Sequence, residues 1–193
     1  MSVFDKLMDL QRQINTQQTL INQILRVDRP SGSPVSIISI KFVKFTGTQA
    51  SSVGGGGSLN ITDLEISHAL TKSTNKLLLL AQLGIVANNQ DYVQVGVHFT
   101  ADGTRIINAD LASSRVATAA SGATGGGGNY TGLSHTILGP YEPASMSSII
   151  YRVQAVNIYY TTGTIYINRT EVDDNSLNRP RGSSTFALFE LEG

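Results

Sequence analysis

The hydrophobic period of this chain changes once, across residues 28–34, and the change divides what the sequence can fold into. Before it, Val3, Leu7, Leu10, Ile14, Gln17, Ile21 and Ile24 follow one another at alternating spacings of four and three, the a/d pattern of a heptad repeat. After it, apolar residues recur at every second position, the period of a strand with one buried face. Asp28, Pro30, Gly32 and Pro34 stand between the two patterns and stop a helix firmly. The spacing predicts a helix over residues 1–27, a hinge over 28–34 and a β-rich head over 35–193.

The heptad seam is one residue wide. Gln11, Gln13 and Gln18 occupy its flanks, and only Phe4, Leu20 and Leu25 widen it, whereas a helix lying on a sheet needs a broader apolar stripe. Ile14, Ile21 and Ile24 place isoleucine at both a and d, a choice that favours three or four strands over two. Gln17 falls in a d layer, where its amide meets the same residue of partner chains and sets register at some loss of stability. The expectation is a trimeric coiled-coil stalk, about 37 Å long from residue 3 to 27 at 1.5 Å per residue.

In the head, Val93, Val95, Val97 and Phe99 alternate with Gln94, Gly96, His98 and Thr100, and the Asp102-Gly103 pair then marks a tight hairpin into Arg105 and Ile106. Ile149, Tyr151, Val153 and Ala155 form a second inward row opposite Arg152 and Gln154. Further strands are expected near 35–45, 59–67, 77–87, 133–138, 164–168 and 184–192, which together describe an antiparallel sandwich or jelly roll. Three segments depart from one-sided patterning. Leu77 to Leu80 are apolar without a break, Ile38, Ile40 and Phe42 oppose Ile37, Val43 and Phe45, and Phe186 and Leu188 oppose Ala187, Phe189 and Leu191. The outer face of an antiparallel sandwich normally meets water, so two-sided apolar strands ask for a second surface. Copies of the chain around an axis supply it, with Phe186 and Leu188 as the expected head contacts.

Composition excludes several roles. Lys+Arg and Asp+Glu both number 14, so no net field draws the chain to nucleic acid or an anionic membrane. Cysteine is absent, and with it disulfides, thiol chemistry and thiolate metal sites. The first 25 residues show no secretory signal pattern, and no stretch approaches the ~18 apolar residues of a membrane span. His68, His98 and His135 stand far apart in sequence, and the acidic loop Glu171, Asp173, Asp174 lies among arginines and reads as solvated and internally paired, with a calcium site as the alternative. The runs VGGGGS at 53–58 and TGGGGN at 124–129 lead into strand-like sequence, unlike phosphate loops, and read as turning or mobile loops. No nucleophile elbow or glycosidase-like carboxylate pair occurs, so neither catalysis nor a cofactor is expected.

Two stretches carry a family likeness. SLNITDLEISHALTKSTNKLLLLAQLGI joins a strand through Ser/Thr-rich residues to an S-x-K-hydrophobic strand start, and MSSIIYRVQAVNIYYTTGTIYINRTEVDDNSLNRPRGSSTFALFELEG runs from a Y-x-V-Q-A strand through a glycine hairpin and a polar loop to a terminal S-T-hydrophobic strand. The pattern resembles virion appendage proteins of tailed bacteriophages, over residues 35–193. The resemblance implies a tail-fibre, head-fibre or knob protein on the phage particle, made in the host cytoplasm. It also implies a homotrimeric head similar to the jelly rolls of tumour-necrosis-factor and complement globular domains. Its partners would be its own copies, other virion proteins through the stalk, and a host-surface glycan or protein. A capsid decoration or fibre adaptor without a ligand is the alternative. The short stalk favours a knob seated on capsid or tail over a long free fibre. Tyr130, Tyr141, Tyr159 and Tyr160 are the candidate adhesive residues, since aromatic side chains near loops and prolines suit surface recognition.

Overall fold

The computed structural model describes residues 35–89, 94–106, 118–123, 133–158, 161–171 and 181–193. The expected stalk and hinge lie outside them. Eleven strands are described: β1 (Ile37–Phe45), β2 (Gln49–Val53), β3 (Ser58–His68), β4 (Lys76–Asn88), β5 (Gln94–Ala101), β6 (Thr104–Ile106), β7 (Ala120–Ala123), β8 (Leu133–Tyr141), β9 (Ile149–Asn157), β10 (Gly163–Ile167) and β11 (Ser184–Leu191). All pair antiparallel, in two sheets.

Sheet A runs β1-β11-β4-β10-β2, with β8 also paired to β4. The thirteen residues of β4 make this arrangement possible: one edge pairs with β11 over Lys76–Gln82 and then with β10 over Val86–Asn88, while β8 takes the other edge. Sheet B runs β3-β9-β5-β6, with β7 adding to β5 beyond the short β6. Asp102 and Gly103, with φ of 46° and 83°, turn β5 into β6, the double positive φ that an Asp-Gly hairpin turn demands. The first glycine run is a turn that carries the chain from sheet A to sheet B. Gly57 N donates to Gly54 O at 2.9 Å, and Gly56, at φ 73°, donates its N–H to Asn157 O at 2.8 Å.

The core lies between the sheets. Leu77, Leu79 and Leu83 of β4 face Val97 and Phe99 of β5 and Val153 of β9, all essentially unexposed. Phe186 and Leu188 belong to this same core: both are 0% exposed, and the Phe186 ring lies 5.5 Å from that of Phe99 across the sandwich. The expectation that these two residues form a subunit contact is therefore corrected. Strand β11 is apolar on both faces as expected, but Phe186 and Leu188 mark its inner face. Its outer face carries Ala187, Phe189 and Leu191, which cluster with Leu78 of β4.

Because Phe186 fills space between the sheets, Phe186→Ala should destabilise the head by about 3–5 kcal/mol in denaturant unfolding, the usual loss for a large core aromatic. Dissociation of assembled chains with unfolding unchanged would show that the residue faces a partner instead.

Candidate functional site

Three places in the described residues combine unusual side chains with the fold, and each permits different chemistry. The first is a carboxylate inside the protein. Glu190 continues the inward row of Phe186 and Leu188 to the end of β11 and is 0% exposed. Its Oε1 accepts from Thr71 N at 2.7 Å, Thr71 Oγ1 at 2.7 Å and Asn75 Nδ2 at 2.6 Å, while Oε2 accepts from His68 Nε2 at 3.0 Å and Ser39 Oγ at 3.4 Å. Burial alone would push this carboxyl up, but the hydrogen bonds from Asn75 and Thr71 and the proximity of His68 outweigh it and hold the pKa at about 2. Such a group stays ionised and saturated with donors, which suits a clamp and not a general acid or base. It ties β1, β3 and the β3–β4 connection to β11, and it accounts for His68.

The second place is the outer face of sheet B, which is polar. Gln154 Nε2 donates to Asn60 Oδ1 at 2.6 Å, and its Oε1 lies 2.7 Å from His98 Nε2, so His98 is the donor there. His98 is 0% exposed and its Nδ1 has no partner; burial is the main cause that lowers its pKa to about 4, with the Gln154 hydrogen bond opposing and nearby Arg105 adding. The imidazole is thus neutral at ordinary pH. Thr100, two residues on, is likewise unexposed and its hydroxyl unpartnered. Arg105 reaches Ser58 Oγ at 3.1 Å from the opposite side of the sheet. His135, the remaining histidine, points into the core beside Leu83, where burial lowers its pKa. No group of three or more metal-ligating side chains occurs among the described residues.

The third place is the outer face of sheet A, and here the surface is apolar. Two rows cross four strands: Phe42, Ala187, Leu80 and Leu138 in one, and Ile40, Phe189, Leu78 and Pro140 in the next. Ile40 and Phe42 are 54% and 61% exposed, Leu138 40% and Ile38 39%. A bulge in β1 between Ile37 and Ser39 also brings Ile37 opposite Leu191 on this face. The row beyond is polar, Lys44, Thr185, Gln82 and Thr136, and at the other end Lys76 pairs with Glu142 at 2.5 Å. This framed apolar surface is what sequence reasoning detected on β1, β4 and β11 but assigned, on β11, to the wrong side.

Of the expected adhesive residues, only Tyr141 is described. It ends β8, and its ring packs edge-to-face on the buried Tyr151, with centroids 6.1 Å apart and planes at 74°. Tyr130, Tyr159 and Tyr160, the seven stalk positions, the second glycine run and Asp173 and Asp174 lie outside the described residues. Asn168, one of three Asn-x-Ser/Thr matches, is buried and donates its amide to Phe45 O and Gly47 O, both at 3.0 Å, which leaves no nitrogen for a glycan.

No protein-family model matches the chain and no curated protein matches it in sequence. Among solved structures it is similar to a chain of the Gx strain of infectious bursal disease virus, at 11% identity and a TM-score of 0.41, over 82% of this chain and 41% of that one. It is similar to the VP2 subviral particle of the same virus at 10% identity and a TM-score of 0.37, over 86% of this chain and 42% of that one. The C-terminal domain of EclA, a sugar-binding protein, is similar at 18% identity and a TM-score of 0.32, over 72% of this chain and 84% of that one. The chain thus spans about two fifths of the length of the two viral chains.

The Glu190 clamp makes a pH-dependent contribution whose sign is fixed. A carboxyl held at about 2 against an ordinary 4.5 contributes stability that is present above pH 4.5 and lost as pH falls towards 2, on the order of 3 kcal/mol in all. Unfolding midpoints measured from pH 6 down to pH 2 should therefore fall in the native chain, and Glu190→Gln should be less stable at pH 6 with a shallower fall. An equally steep profile in the variant would mean that other carboxylates carry the acid sensitivity.

Proposed function

We propose that this chain is a non-enzymatic structural protein of a bacteriophage particle, a short trimeric fibre or knob on capsid or tail whose head meets the host surface. The observation that carries the reading is the pairing of two surfaces that water does not satisfy: the heptad seam before residue 28 and the apolar outer face of sheet A, on whose edge strand the chain enters the head. Both ask for further copies, and the isoleucines of the seam favour three. The buried polar groups support a structural role as well, since Glu190 acts as a clamp and His98 is neutral and covered. The likeness of residues 35–193 to phage appendage proteins supplies the phage assignment. Itself, neighbouring virion proteins and a host-surface glycan or protein are the proposed partners.

A second reading, a capsid decoration or adaptor without a ligand, draws on one observation. Tyr141, the described member of the adhesive set, spends its ring on Tyr151 and the core. Imaging of particles with a label on this chain tests the virion assignment directly, and its absence from particles would end it. Tyr141→Ala and Tyr160→Ala separate the two readings: reduced host-cell binding at unchanged oligomer mass is expected for an adhesive head, and unchanged binding in both variants favours decoration.

The stalk makes its own prediction. Light scattering of the full chain at micromolar concentration should give three times the chain mass. Gln17→Ile should raise the melting temperature of the stalk while making its oligomeric state less uniform, because an apolar d layer gains burial and loses register. A lower melting temperature would show that Gln17 is not in the seam.

A further inference from the structure

We infer that the outer face of sheet A is the surface through which the heads of separate copies meet, with Phe42 and Ile40 turned towards a common axis. The inference deepens the trimer reading, on which it rests, by naming the head contact.

The face is narrow and framed. Its two apolar rows cross β1, β11, β4 and β8, which at about 4.8 Å between strands is about 14 Å from first to last. The most exposed members, Phe42 and Ile40, sit on β1, an edge strand of the sheet, while Phe189, Ala187 and Leu78 in the middle are already more than nine-tenths covered. A polar row and the Lys76–Glu142 ion pair close the two ends. Exposed apolar side chains on β1 and β8, flanking a covered apolar floor and closed by polar groups at both ends, make a surface of the kind that a protein contact covers.

Two occupants compete for it: the heptad segment of the same chain, folded back, or another copy. As a helix, the seam from Val3 to Ile24 would run about 32 Å, twice the apolar width. Folding back would leave about half of the seam against polar rows or water. Self-association of the seam leaves none of it exposed and leaves the face of sheet A for a neighbouring head. The area points the same way. Two rows across four strands make a footprint of roughly 200 Å², a fraction of the ~800 Å² per partner of a contact stable by itself. The face therefore works as a contact between heads that are already tethered, and residue 35 is where the tether enters, with Val35 packed on the outer cluster.

The absence of cysteine makes the test clean. Phe42→Cys and Ser121→Cys each give the full chain a single thiol, one on the outer face of sheet A and one, exposed, on that of sheet B. Each is treated with a bismaleimide of about 10 Å reach and run on a denaturing gel beside light scattering of the native chain. Three thiols around an axis can join only two at a time, so about two thirds of Phe42→Cys chains should appear as linked pairs, at least tenfold more than for Ser121→Cys. Equal, low linking in both variants with a trimeric mass would overturn this contact and leave the stalk trimer standing. Complete linking of Phe42→Cys with a dimeric mass would uphold the face and overturn the trimer, and a monomeric mass for the native chain would overturn both.

Discussion

The two apolar faces of β4 organise the rest of the molecule. Leu77, Leu79, Ala81 and Leu83 point between the sheets, and Leu78 and Leu80 point away, so no rotation of the strand puts all its leucines in one core. A strand of this kind belongs at the centre of a sheet, and its length lets one edge serve β11 and β10 in turn while the other serves β8. The outer leucines then recruit apolar neighbours in register, Phe189 beside Leu78 and Ala187 beside Leu80, and through them Ile40 and Phe42. The second face is a consequence of cross-strand pairing and not of scattered surface residues.

A fold without disulfides has to fix its chain crossings by other means, and here buried polar side chains do so. Asn168 joins the ends of β1 and β10 to the start of β11: its amide bonds Phe45 O and Gly47 O, and its Oδ1 accepts from Ser184 Oγ at 2.6 Å. Asn157 holds the β2–β3 turn through Val53 O at 3.0 Å and backbone bonds to Gly56 and Gly57. Glu190 holds the opposite end of the sandwich. Each of these groups is satisfied, so each fixes one arrangement where an apolar residue would tolerate several. Gly84 and Gly182 contribute by closeness, since a Cβ on Gly84 would lie 2.6 Å from the Ser183 backbone.

Most of this sandwich was legible because alternation is a local signal. The rows Val95, Val97, Phe99 and Tyr151, Val153, Ala155 face the core as the period predicts, and the Asp102-Gly103 turn sits where its φ preference puts it. Strands β2 and β7 were not anticipated, because QASSV and ASGA have too few apolar residues to show a period; both lie at sheet margins, β2 paired to β10 and β7 to β5. The clamp was illegible for a different reason. Glu190 sits in a run that reads FALFEL, and nothing local says that Thr71, Asn75 and His68, more than a hundred residues earlier, turn to meet it. Periodicity likewise showed that β11 has two apolar faces without saying which one the second sheet covers. The covering strands, β5 and β9, decide that, and they do so through contacts remote in sequence.

Electrical neutrality bears on the association of heads proposed above. With 14 basic and 14 acidic residues there is no self-repulsion to hold copies apart and no long-range attraction to gather them. In the proposed trimer, encounter would depend on tethering, and a short tether would place the heads at an effective concentration in the millimolar range. Against that concentration, a contact as weak as roughly 4 kcal/mol is already half populated. A few side chains such as Ile40 and Phe42, each contributing about 1.5–3 kcal/mol on full burial, are of the right size to close it. A larger apolar face would risk joining untethered heads before assembly, and a polar one would leave tethered heads free to splay. The modest, framed patch on sheet A lies between these limits.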